Sequence, residues 1–183
     1  MNTATVVCLV AFLLYSLLFA FSLRVKRRVN RILSTYLLAM GLWTSSSVMW
    51  FADFPVLGDL PWLQTGLFFA IVAWMLMCLL YVVILGLDSV PAARTGLFAI
   101  YSLGGLLLIG DIGGQLVQVT RIERGYFDVH FGGLMYLFLA SAGLSGVALI
   151  LLFARARVKT DDHNQRNRLL YFVGMVQNPG KLD

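Results

Sequence analysis

The sequence predicts an all-α membrane protein, a polytopic helix bundle of five full transmembrane helices plus the start of a sixth, with its N-terminus outside. Three observations carry that expectation. Hydrophobic residues make up 60% of the chain and charged residues only 13%, about half the charged share of an ordinary soluble domain. Trp62 to Leu87 contains no Asp, Glu, Lys, Arg or His and is bracketed by Asp59 and Asp88. As a helix it reaches about 39 Å, more than the roughly 30 Å of a hydrocarbon core. Finally, the basic residues gather in alternate connectors between apolar runs. The net charge of +5 therefore points to membrane orientation and anionic headgroups rather than to a nucleic-acid-binding face.

Taken in order, span one covers about 3–23 and stops at Arg24–Arg31, where five of eight residues are basic. It begins almost at Met1 with no basic segment before it, so it is expected to be a retained helix and not a cleaved signal peptide. Span two, about 32–52, ends in a connector with two acids, Asp53 and Asp59, and no base. Span three is 62–87. The turn Asp88–Arg94 leads to a glycine-rich span four, about 95–115. A long polar connector, Val117–Gly132, precedes span five, about 133–153. After the basic stretch from Arg155 comes a short apolar run, about 169–177, which Pro179-Gly180 interrupts; a sixth full span needs about twenty residues. The whole of 1–183 reads as one bundle, cut off early in its sixth helix.

Lys and Arg number eleven in the first, third and fifth connectors against two, Arg121 and Arg124, in the second and fourth. Positive charge is retained on the cytoplasmic side. The odd connectors are therefore expected inside, and the N-terminus with the Val117–Gly132 connector outside.

Few residues suggest chemistry. Asp111 is the one acid within an apolar run, and intramembrane ionisable groups are functional candidates by default. It falls near the outer end of span four, so two readings stay open: a ligand or proton site, or a solvated helix end. Glu123, Arg124, Tyr126 and His130 share the outer connector and suit either a small polar or charged ligand or a solvated loop between interfacial aromatics. Thr44–Ser47 inside span two reads as hydroxyls bonded to helix carbonyls, with a ligand-lined pocket as the alternative. Gly110-x-x-x-Gly114 and Ala142-x-x-x-Gly146 are patterns that let helices approach closely. Trp43 and Trp74, near mid-membrane, fill space or wall a pocket. Cys8 and Cys78 each lie in an apolar span, as small buried hydrophobes do. Neither they nor any His and acid set have zinc spacing. No phosphate-binding Gly-rich loop carries a lysine, and no lysine lies within a span. The expectation is therefore a chain without catalytic residues, cofactor or metal.

The basic first connector, the Trp-containing second span, the segment Gly125-Tyr-Phe-Asp-Val-His-Phe-Gly-Gly-Leu-Met-Tyr136 and the run Arg166-Asn-Arg168-Leu-Leu together resemble the N-terminal seven-helix sensor region of bacterial histidine kinases. The resemblance implies a signal-input module of a two-component-type receptor in the bacterial cytoplasmic membrane. Its partners would be the bilayer, an unknown small-molecule or membrane-state stimulus and a second copy in a homodimer, with no nucleic acid. Its kinase or other output domain would lie beyond residue 183. Neither His130 nor His163 stands in the His-acid pattern of that family's phospho-accepting helix. A small membrane transporter or channel subunit is the alternative, and a structural membrane protein without a ligand a third.

Overall fold

The computed structural model describes residues 3–24, 28–52, 62–123 and 126–159, with backbone alone for 52, 88, 119–123, 126–128 and 152–159. Five helices are long and apolar enough to cross a membrane among these residues. They are α1 (Thr3–Ser22), α2 (Arg28–Ala52), α3 (Trp62–Ile84), α4 (Pro91–Ile112) and α5 (Gly133–Lys159), with an antiparallel hairpin of β1 (Val117–Glu123) and β2 (Tyr126–Phe131) between the last two. The chain is an all-α bundle of a multi-pass membrane protein, carrying one small sheet. The sixth apolar run, 169–177, lies outside the described residues.

The helix ends follow local chemistry. α2 starts a turn before the expected residue 32, because Arg28 and Arg31 are good helix formers whose long stems let the charge reach water. α3 stops at Ile84, where Gly86 takes a φ of 66° and a 3₁₀ turn, Leu87–Ser89, follows. α4 begins earlier than expected, at Pro91. That is the helix position where proline's missing N–H costs nothing.

Two compact units divide the chain, Met1–Leu144 and Ser145–Asp183. In the first, α1 packs on α2, α2 on α3 and α3 on α4. α3 is the central element: Ile71, Ala73, Trp74, Cys78 and Leu80 are all buried. Trp74 meets the Phe138 ring of α5 edge-on, with centroids 6.0 Å apart, the arrangement that ring quadrupoles favour. Trp74 is therefore a packing residue, and Cys78 a buried small one. At Gly104 of α4 the space for a Cβ is taken by Met75, whose Sδ would stand 2.4 Å away. That is the close approach expected of small residues in membrane helices.

The outward-facing surface is apolar. Leu13, Leu14 and Leu17 of α1 and Phe98, Ile109 and Ile112 of α4 are more than half exposed, which lipid tolerates and water does not. In span two, the hydroxyls of Thr44, Ser45, Ser46 and Ser47 each donate to a carbonyl three or four residues back in their own helix. The packing reading of that cluster holds, since no hydroxyl in it has its donor free. In the second unit the described chain is the remainder of α5, apolar as far as Phe153 and ending in Arg155-Ala-Arg157-Val-Lys159.

Candidate functional site

The end of the bundle that carries the hairpin is built around the C-terminus of α4. There Gln115 N–H donates to Gly110 O and Gly114 N–H to Asp111 O, at 2.7 and 2.9 Å. This is a Schellman motif, and its left-handed residue is Gly114, with φ 68°. Gly114 of the Gly110-x-x-x-Gly114 pattern is thus a helix stop, whereas Gly110 serves the expected close approach, since a Cβ there would run into the Leu134 side chain of α5. The chain then rises into β1. β2 returns beside it with Val117 opposite Phe131 and Gln118 opposite His130, and Gly132 N–H closes the base on Leu116 O at 2.8 Å. A Cβ on Gly132 would stand 1.9 Å from Gln115 O, so only glycine permits this return.

Asp111 lies in the last turn of α4 and is 2% exposed, which overturns the solvated helix end. The reason is its face. Gly104, Leu107, Gly110 and Asp111 form the buried stripe of α4, spaced three and four residues apart as a core-facing stripe must be. Across from it, the Gln64 amide in the first turn of α3 donates to the Asp111 main-chain oxygen. The Asp111 Oδ1 atom is buried and has no hydrogen-bond partner among the described residues. Thr5 Oγ1, in the first turn of α1, is in the same position.

The hairpin separates the other sequence candidates. His130 is exposed near the base and, with Gln115, Gln118, Phe131 and three glycines, lines a cavity of about 240 Å³. Glu123 and Tyr126 face each other across the register at the tip, roughly 20 Å from the base by strand rise. Arg124 lies outside the described residues. The four described candidates therefore do not converge: Asp111 and His130 belong to the base and Glu123 and Tyr126 to the tip.

Sequence reading passed over Gln64, Gln115 and Gln118. Gln64 did leave a signal, as the single amide in an otherwise apolar span. The strands had one too, since Val117–Glu123 and Tyr126–Phe131 are rich in the β-branched and aromatic residues that favour sheet. No group of three or more His, Cys, Asp or Glu suited to a metal occurs among the described residues. Comparisons with family models, with curated proteins and with solved structures found no match to the chain.

Proposed function

We propose that the chain is a sensory input module embedded in the bacterial cytoplasmic membrane, with its N-terminus and hairpin on the outer side. The observation that carries this reading is where the polar groups lie. The hydroxyls of Thr44–Ser47 in α2 are consumed within their own helix, whereas a polar cavity opens where α4, the hairpin and α5 join. A solute arriving from water meets that junction first. By touching the residues that follow α4 and those that begin α5, it biases one helix packing over another, and the last helices pass the bias to a cytoplasmic output. His130, Gln115 and Gln118 are the groups in reach of such a ligand, with Glu123, Arg124 and Tyr126 available along the hairpin. The resemblance to histidine kinase sensor regions supplies the output and the homodimer, and the phosphate chemistry belongs to that output.

The gene sequence downstream of residue 183 is the direct test. A signalling domain following the last helix is the expected finding, and a reading frame that closes near Asp183 with none would sink the proposal. One observation favours the alternative of a transporter or channel subunit, the buried Asp111 carboxyl, because intramembrane acids often mark ion pathways. Transporter sites, however, gather at the bilayer midplane on broken helices, and Asp111 sits at a helix end. Loss of solute uptake by proteoliposomes on Asp111→Asn would turn the assignment to transport.

A further inference from the structure

The hairpin end holds a buried carboxyl group, one oxygen of which has no partner among the described residues. Asp111 is 2% exposed with Oδ1 unpartnered among the described residues, and it is the penultimate residue of α4. There the helix dipole is negative and opposes an anion. A buried, unpaired ionised carboxylate costs several kcal/mol.

Among the described side chains, the elements packed around it bring no compensating cation. On α3, Trp62–Leu67 contains no ionisable side chain and presents Gln64, whose amide is engaged with the main chain. Residues 113–118 contain none either. The hairpin base offers His130, exposed and lining the neighbouring cavity, while Arg121, Glu123 and Asp128 stand further up the strands, Arg121 roughly 13 Å beyond Val117 by strand rise. In α5, Gly133–Leu144 supplies only Tyr136, which is 64% exposed. Arg94, on α4 itself, is roughly 25 Å away along the axis.

A metal ion is no better accommodated. Hard cations take about six or more oxygens. Here the Gly110 and Asp111 carbonyls already accept from Gln115, Gly114 and Gln64. Leu107 and Leu116, both fully buried, and Leu134, close against Gly110, occupy much of the rest. The species that these surroundings accept is the neutral acid.

We infer that Asp111 is a reversible proton-binding site through which the α3–α4 contact responds to the acidity of the water at the hairpin end. The residues next along the chain, Gly114 and Gln115, line the open cavity, so water comes within a turn of the carboxyl. With the proton bound, the neutral group stays packed and the Gln64 bond holds the first turn of α3 to the last turn of α4. When the proton leaves, the carboxylate must draw in water or move toward it. Either change disturbs the Schellman turn and the main-chain oxygen that Gln64 grips. The inference requires the bundle and its hairpin, not the kinase-like output, so the two proposals fail independently.

The test uses the full chain in lipid nanodiscs and a hydrophobic carbodiimide, which reacts with protonated carboxyls in apolar surroundings. Adduct formation on each carboxyl-bearing peptide is followed by mass spectrometry across a pH series, in sodium chloride and in choline chloride. The expected result is labelling of Asp111 ahead of the other carboxyls, falling about tenfold per pH unit above its midpoint and equal in the two salts. Absence of an Asp111 adduct at every pH overturns the inference, as does protection by sodium, which would mark a metal site. Amide hydrogen exchange of the peptide 110–118 supplies the conformational arm. Relative to Asp111→Asn, the wild-type peptide loses protection as pH rises, and parallel curves for the two proteins would refute the coupling. If Asp111→Asn does not fold, the labelling series on the wild-type chain decides alone.

Discussion

The two ends of the bundle solve the same problem in opposite ways. Where α1 turns into α2, Ser22 and Ser34 are both buried, and their hydroxyls lie 2.7 Å apart. Phe19 O and Asn30 O of their own helices are also in reach, so whichever hydroxyl donates to the other, the second donates to its helix carbonyl. Polar atoms taken out of water there are fully matched, and they join two helices. Where α4 meets the hairpin, a stronger polar group is buried with one oxygen unmatched. Unpaired buried groups cost more than paired ones contribute. The first end therefore reads as structural adhesive, and the second as a place where stability has been given up for something else.

The largest expected effect bears on what holds the hairpin end in place. Gly132→Val forces a Cβ into the Gln115 carbonyl, a backbone atom that cannot swing aside. It should lower unfolding stability in detergent by about 3 kcal/mol, at the upper end of overpacking costs, with the hairpin amides losing exchange protection. A melt unchanged from wild type would show that the return at the base is looser than described.

Next in size is the direct contrast between the ends. Ser34→Ala removes one side of a matched pair and should cost about 0.5–1.5 kcal/mol. Asp111→Asn removes an unmatched ionisable group and should leave stability unchanged or raise it by about 1–2 kcal/mol at neutral pH and above. If the aspartate variant proves the less stable of the two, the carboxyl has a partner and the contrast collapses.

Gln64→Leu tests the link between α3 and α4. The Asp111 main-chain oxygen keeps its bond from Gly114, so no orphan is created and the loss should stay near 0.5–1 kcal/mol. The smallest effect is the coupling between Ser22 and Ser34. A double-mutant cycle should return about 0.6 kcal/mol, the average for hydrogen bonds between membrane helices. Strict additivity would mean that the two hydroxyls serve only their own helices.

Much of the architecture was legible because lipid imposes one-dimensional rules. A span must be apolar for about twenty residues, and its ends must be polar, so α1 to α5 stand out in the chain itself, misplaced by a turn at most at their starts. The packing of Thr44–Ser47 was equally readable, since a hydroxyl in hydrocarbon has its own helix within reach. The hairpin was missed for a reason of scale: strands of six and seven residues leave a weak pattern beside helices of twenty or more, and a polar connector looks like a loop.

What the sequence determined by itself is the five membrane helices of the described residues and the position of one acid in an apolar run, because both depend on composition along the chain. Only the tertiary structure decided that this acid is buried. Its surroundings are Gln64, 47 residues earlier, and the glycine-lined base that closes after it. Solvation depends on what approaches in space, and no local pattern around Asp111 records the approach of α3.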